Sequence, residues 1–309
     1  MNTPVSVVIL TYNRPLLVEK HLINLSRITH VLFEVIVVDN HSDSPLDHVV
    51  DKYPVARLLR MEDNLGIAGR NRGMEQANGE IIITLDDDVH GITDRDIVQL
   101  IELFQNHEIG AVCFKVTDEK TGGIINWCHH RNKEIYGDKS FITEEITEGA
   151  VAFRKTALDK TGLYPEEFFI SHEGPDLALR LMNAGYEVIY YPGIEVQHGH
   201  SEIGRTSWRR YYYDTRNLIW LIIRNYPVWL GTRRLAFGLL TMGIYSFRDG
   251  YPRYWLRAIY DGVMGAGRAY SQRNPIRQDT ELKLRELRKF YPGLWYMVKT
   301  RILSRGVRI

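Results

Sequence analysis

The sequence predicts an α/β protein built on a doubly wound sheet of parallel strands. Continuous apolar, β-branched runs recur along the first third of the chain, as expected of strands covered on both faces. Segments with helical spacing separate them, and this β-α-β rhythm implies a parallel sheet whose ligands bind beyond the carboxyl ends of the strands. Asp39 and Asp86–Asp88 stand just past the ends of two such runs, so two strands deliver carboxylates to one rim.

"VSVVIL" (5–10) is the first strand, and Pro15 of "TYNRP" suits the first turn of the helix that follows. Leu16, Leu17, Leu22, Ile23 and Leu25 continue that helix with a partly helical spacing. "FEVIVVD" (33–39) and "IIITL" (81–85) are further strands, and "IVQLIELF" (97–104) is a helix. "AVCFKV" (111–116) and "AVAF" (150–153) read as strands on either side of a polar segment. "PDLALRLMNAG" (175–185) is a helix opened by Pro175 and closed by Gly185, and the strand "YEVIYYP" follows it. From about Trp208 the chain becomes helical and rich in Arg, Tyr and Trp.

With 309 residues, 44% hydrophobic and 25% charged, the chain is an ordinary globular protein of one large domain or a domain with an appendage. A net charge of +1 gives no reason to expect nucleic acid. Cys113 and Cys128 are too few for a disulfide framework and fit a reducing compartment. The start "MNTPVSVVIL" lacks the basic region of a signal peptide, so a cytoplasmic protein is expected. Leu235–Phe247, the longest uncharged apolar run, falls short of the roughly 18–20 residues of a membrane span.

Three adjacent carboxylates repel unless something neutralises them. In extended chain Asp86 and Asp88 share one face and Asp87 takes the other. Two carboxylates on one face suit a divalent cation that also binds phosphate oxygens; a solvated acidic turn is the plainer alternative. The first β-α turn is "TYNRP" rather than G-x-G-x-x-G, which argues against a dinucleotide enzyme.

"VVILTYNRP", "VIVVDNHS", "NLGIAGRNRG" (64–73), "LDDDV", "EGAVAFRKTALDKTGLYPEEFF" (148–169), "EGPDLALRLMNAGY" (173–186) and "YYYDTRN" (211–217) occur in this order. Together, over residues 4 to about 230, they resemble an inverting family 2 glycosyltransferase of the GT-A fold. The resemblance implies a mostly parallel, mixed sheet flanked by helices. It places a catalytic domain at 1–225 and a helical extension at 226–309. The implied activity is metal-dependent transfer of a hexosyl or deoxyhexosyl group from a nucleotide-diphosphate sugar to an acceptor hydroxyl, in polysaccharide, glycolipid or other glycoconjugate synthesis. A UDP-sugar is the first expectation, with dTDP- and GDP-sugars as alternatives. Mn2+ or Mg2+ is the implied cofactor, and a sugar or lipid-linked molecule the acceptor.

By the same resemblance Thr11, Tyr12, Asn13 and Arg14 form a loop beneath the nucleotide base. Asp39 hydrogen-bonds the base, with a turn cap as its alternative role. Asn64, Gly69 and Arg70 border the nucleotide or its phosphates, and Asn71 opens a helix there. Asp86 meets the nucleoside and shares the metal with Asp88, the principal ligand, while Asp87 of the donor site turns toward a basic residue such as Arg70. His198 completes the metal site, with His200 a lesser candidate. Gly149 leaves room for the donor sugar. Arg205, Arg209 or Arg210 approaches the diphosphate, unless this basic helix faces a membrane. Trp127 is expected to stack on a sugar, and His129 and His130 to lie in the acceptor region or on the surface.

An inverting transfer needs one base to take the acceptor proton. The family's motif is Glu-Asp at the start of the "DLALRL" helix, with the Asp as base; here that position is Gly174. The carboxylates nearby are Glu173, taken as the base, and Asp176, whose place in the first helical turn also has a purely structural explanation in the helix dipole. Gly174 also raises the alternative of a catalytically impaired relative that binds nucleotide sugar or serves as an assembly subunit.

Residues 218–270 alternate apolar clusters with arginines and include Trp220, Trp229 and Trp255. They read as amphipathic helices that pack on the catalytic domain, join subunits of a homo-oligomer, or lie on the inner face of a membrane against anionic lipid. "DTELKLRELRKFYPG" is a charged, solvated helix.

Overall fold

The computed structural model describes residues 3–30, 32–199 and 207–291. Among the described residues nine strands form one sheet: β1 (Val5–Thr11), β2 (Phe33–Asp39), β3 (Ala56–Arg60), β4 (Ile81–Asp86), β5 (Val89–His90), β6 (Ile109–Asp118), β7 (Phe141–Ile142), β8 (Ala150–Arg154) and β9 (Glu187–His198). The helices that precede residue 200 are α1 (Pro15–Leu25), α2 (Asp47–Val50), α3 (Ile67–Glu75), α4 (Asp94–Leu103), α5 (Lys133–Tyr136), α6 (Lys155–Thr161) and α7 (Glu173–Asn183). Then come α8 (Ser207–Asn225), α9 (Val228–Arg248), α10 (Pro252–Met264), α11 (Ala266–Ser271) and α12 (Gln278–Arg288).

The strand order is β3-β2-β1-β4-β8-β6-β9-β5, with β7 also beside β9. The first four strands are parallel, as their βα rhythm predicts. The remainder departs from an all-parallel sheet: β8 runs antiparallel to both β4 and β6, while β9 is parallel to β6. A parallel pair needs a long crossover, usually a helix. The chain between β6 and β8 contains the four-residue α5 and the two-residue β7 and no long crossover helix, and β8 returns in the opposite sense. The mixed sheet is the one the family resemblance implies.

Alternation along the strands divides the core in two. Val7, Ile9, Val35 and Val37 pack on one face, Val8, Ile36 and Val38 on the other. α4 begins three residues earlier than its apolar spacing suggests. Thr93 and Asp96 form a capping box there, with the Thr93 amide donating to Asp96 Oδ2 at 2.8 Å. A third cluster joins Phe168, Leu179 and Met182 to Ile219, Trp220, Tyr226, Ala269, Ile276 and Leu284, so the extension shares a core with α7. α12 is more than a solvated face: Arg288 donates to both oxygens of buried Glu144, at 2.9 and 2.7 Å.

Candidate active site

Each carboxylate of the triplet lies against an arginine, with Arg14 serving two of them. Asp86 ends β4 and pairs with Arg70, which is buried within α3. Asp87 Oδ1 accepts from Arg14 at 2.7 Å, and Asp87 Oδ2 from Thr11 Oγ1 at 2.8 Å. Arg14 also donates to Asp88 Oδ2 at 3.2 Å, and His198 Nε2 lies 3.2 Å from Asp88 Oδ1. Two expectations are thereby corrected. The partner of Asp87 is Arg14, and Arg70 belongs to Asp86. Asp87 and Asp88 do not take opposite faces, because β4 stops at Asp86 and the chain turns before β5, letting one guanidinium reach both. The repulsion that invited a metal is already offset by the chain's own cations.

The electrostatics follow. Burial lifts the Asp87 carboxyl to about 6 even against the pull of Arg14 and Thr11. Burial acts on Asp88 the same way, but the hydrogen bond and charge of His198, with Arg14, outweigh it and hold the group below the ordinary carboxylate range. A carboxylate and an imidazole on adjoining strand ends form a donor set suited to Mn2+ or Mg2+ completed by phosphate oxygens. Among the described residues no group of three or more His, Cys, Asp or Glu side chains is disposed around a metal position. Asp86, the third expected ligand, is engaged by Arg70.

The loops around the rim hold one another. The Asn13 amide donates to Ser42 Oγ at 2.8 Å, and its side chain exchanges two hydrogen bonds with Asp43. Asn13 sits at φ 58°, and Tyr12 beside it is exposed. Asn64 Oδ1 accepts from Asn40 Nδ2 and from the Gly66 amide, both at 3.0 Å. Asn40 Oδ1 accepts from Leu65 N at 2.9 Å, so Asn40, which the sequence reading passed over, ties the loop after β2 to the loop before α3.

Several expected donor-site residues have structural partners instead. Asp39 is fully buried, with Oδ1 capping the turn at Ser42 N (2.8 Å) and Oδ2 paired with Arg60 (2.9 Å), which is its alternative role. Asn71 does not open a helix: α3 starts at Ile67, and Asn71 clamps the Tyr164 backbone through Nδ2 (2.8 Å) and Oδ1 (3.1 Å). The space at Gly69 is taken up by Asn40 and Leu10. Trp127 is half-buried and packs edge to face with Phe141 and Tyr190, while His129 is buried, edge to face with Phe141 and bonded to Thr143 Oγ1 at 3.0 Å, so His129 is not a surface residue. Arg210 pairs with Asp214 and Arg209 lies over Trp208, whereas Arg205 and His200 fall outside the described residues.

The rim extends to the N-terminus of α7. Gly149 abuts Asp86 so closely that a Cβ there would overlap the carboxylate. Glu148, one residue earlier, accepts from the Gly174 amide through Oε1 at 3.1 Å. Glu173 begins α7, is buried, and its Oε2 has no hydrogen-bond partner among the described residues. Burial first pushes both carboxyls up; the charges of Glu145 and Asp86 add to it at Glu148, which rises to about 7, and the charge of Glu148 adds to it at Glu173, which rises well above its ordinary value. Asp176, the second candidate base, is excluded by its surroundings. It is 0% exposed, and Arg224 (2.8 Å), Asn225 (2.7 Å) and Arg180 (2.8 Å) engage its two oxygens. Burial would raise it, but the two arginines and Asn225 outweigh burial and hold it below the ordinary range, the state of a structural anion. A concavity of about 690 Å3 bordered by Leu65, Tyr164, Glu167, Arg224 and Arg268 includes none of Asp86, Asp87, Asp88, His198, Glu148 and Glu173 in its lining.

Residues 6–162, just over half of the chain, match the model of glycosyl transferase family 2. The chain is 24% identical over 299 residues to the dTDP-rhamnosyl transferase RfbF of Shigella flexneri, covering 86% of this chain and 97% of that one. It spans about three fifths of two other curated relatives, 58% and 61% of their lengths. Its fold matches S. aureus TarS 1–349 in complex with UDP-GlcNAc (TM-score 0.61, 18% identity, 87% and 84% of the two chains covered). It also matches the mannosyltransferase PcManGT of Pyrobaculum calidifontis in complex with GDP-Man and Mn2+ (TM-score 0.58, 16% identity, 93% and 85% covered). The chain belongs to glycosyl transferase family 2, and its mixed α/β architecture is the GT-A fold.

Proposed function

We propose that the chain transfers a sugar from a nucleoside-diphosphate donor to an acceptor hydroxyl, with inversion at the anomeric carbon. The observation that carries this reading is the meeting of Asp88 and His198 at 3.2 Å, beside an Asp86–Arg70 pair and the carboxylates at the start of α7. Tyr12 and Asn13, exposed at the mouth of the rim, are suited to meet the nucleoside. Asp88 and His198 would hold Mn2+ or Mg2+, which supplies positive charge for the departing diphosphate. Arg14 stands beside Asp88, where a guanidinium also suits phosphate oxygens. A carboxylate at the α7 N-terminus, Glu173 by the sequence assignment, takes the acceptor proton. Relatives and fold neighbours named for dTDP-rhamnose, UDP-GlcNAc and GDP-mannose chemistry define the donors to test.

Purified protein is incubated with dTDP-rhamnose, UDP-GlcNAc or GDP-mannose and Mn2+, and nucleoside diphosphate release is measured against an Asp88→Ala control. Release from one donor, lost in Asp88→Ala, is the expected result. Donor-dependent thermal stabilisation without release would instead favour the binding or assembly subunit that Gly174 suggested. Neither release nor stabilisation would sink the transferase reading.

The extension supports a second contact. Trp229, Phe237, Leu240, Phe247, Leu256 and Val263 are exposed along α9 and α10, α9 carries Arg233, Arg234 and Arg248, and it has no acidic residue. No helix among the described residues is long and apolar enough to cross a membrane. We read this face as an interfacial one for anionic lipid. Co-sedimentation with phosphatidylglycerol vesicles, reduced by glutamate at Trp229 and Phe237, is expected; unchanged binding in the variant would overturn it.

A further inference from the structure

At the N-terminus of α7 the position of the family's base aspartate is Gly174, yet the space beside it is filled. A Cβ built on Gly174 would overlap Oε1 of Glu148. The same oxygen accepts the Gly174 amide at 3.1 Å, so the ionised form of Glu148 lies against the positive end of the helix. Glu148 is carried on the turn into β8, next to Gly149, which borders Asp86. It therefore lies between the donor side of the rim and α7. Glu173 is the more deeply buried of the two carboxyls, and its Oε2 is aimed into the same interior without a partner.

We propose that Glu148 is the catalytic base, its carboxylate reaching across from the turn into β8 to occupy the place of the side chain absent at Gly174, beside Glu173. This rests on the transferase reading above and replaces Glu173 as the group that accepts the proton. The acceptor oxygen forms a bond to the anomeric carbon and gives its proton to Glu148. The bond from that carbon to the diphosphate oxygen breaks, and its electron pair leaves with the nucleoside diphosphate. The proton then passes to solvent.

The test compares wild type, Glu148→Gln, Glu173→Gln, Gly174→Asp and the double variant Glu148→Ala/Gly174→Asp. The assay is nucleoside diphosphate release from dTDP-rhamnose, UDP-GlcNAc or GDP-mannose with Mn2+ and water as acceptor. Thermal stabilisation by the same donor reports folding and binding. Glu148→Gln should lose about 100-fold or more in turnover while retaining donor stabilisation, as expected for removal of a general base. Gly174→Asp alone should be impaired by the clash with Glu148. The double variant, which vacates that space and supplies an aspartate from the helix, should recover to within about tenfold of wild type, roughly the span left between two well-placed bases. Turnover near wild type in Glu148→Gln overturns the proposal. So does a folded, donor-binding double variant with no recovery, which would make Glu148 a positioning residue. Absence of release in wild type itself fails the transferase reading; release that survives Glu148→Gln fails only the present inference.

Discussion

The side-chain amide of Asn217 in α8 donates to the carbonyl of Ser171, 2.8 Å away, in the loop that delivers Glu173. Phe168 O (3.0 Å) and Ile170 O (2.8 Å) accept from the same nitrogen, and Asn217 is fully buried. Phe169, Ser171 and His172 all have positive φ, a conformation costly for residues with side chains. α8 thus holds a strained loop in place. Asn217→Ala should destabilise the fold by about 1–3 kcal/mol and lower turnover more than donor affinity. Urea unfolding and donor kinetics check this; unchanged turnover would dissociate the loop from the chemistry.

Asp176 anchors α7 to α8. Replacing it by Asn leaves Arg180 and Arg224 buried without their anion, and breaking such a pair typically costs about 3–5 kcal/mol. The folded protein holds Asp176 ionised below the 3.8 of an ordinary aspartate. Its contribution to stability is therefore complete above that pH and is lost as pH falls through the lowered folded value. Unfolding measured from pH 6 to pH 2 should show a steeper acid loss in wild type than in Asp176→Asn, and parallel profiles would contradict this.

Gly149→Ala places a methyl group on the Asp86 carboxylate. The side chain must leave Arg70 or the turn must shift, at about 1–3 kcal/mol. Donor binding should weaken by about tenfold, the equivalent of one good hydrogen bond, with the fold retained. Calorimetric titration with the donor found active is the measurement.

Glu144 fastens α12 to the segment between β7 and β8. Burial would raise its carboxyl, but Arg288, by hydrogen bond and charge, holds it below the ordinary range. Tyr291 donates to the same carboxylate. Glu144→Gln should cost about 1.5–3 kcal/mol, the range for hydrogen bonds to charged groups, and expose α12 to proteolysis. Identical digestion of wild type and variant would show that α12 docks by its apolar contacts alone.

The parts of this molecule legible in the sequence are those with a local signal. β1, β2 and β4 are uninterrupted β-branched runs, and they lie where their residues predict. β5 and β7, two residues each, have no pattern to read, and the reversal of β8 depends on a connection rather than on its residues. Within the site, the triplet was conspicuous because charge at a strand end is unusual. Its partners were harder: Arg14 lies more than seventy positions away from Asp87 and Asp88 in sequence. Glu148 has no local signal in its motif, because its importance appears only where a glycine from another element meets it. Asn71 carried the wrong signal, a good capping residue displaced into a helix by the start at Ile67.

Arg14 gives the rim a further property. Because a guanidinium already lies against Asp87 and Asp88, a lone cation arriving from solution finds little uncompensated negative charge to attract it. A cation arriving with a nucleoside diphosphate brings phosphate oxygens to which Arg14 can transfer its hydrogen bonds. On the proposed metal-dependent reading, the resting protein is thereby shielded from stray metal, and metal and nucleotide load in order. Mn2+ alone should bind weakly to wild type and more tightly to Arg14→Met, while the nucleotide-bound metal shows the opposite preference.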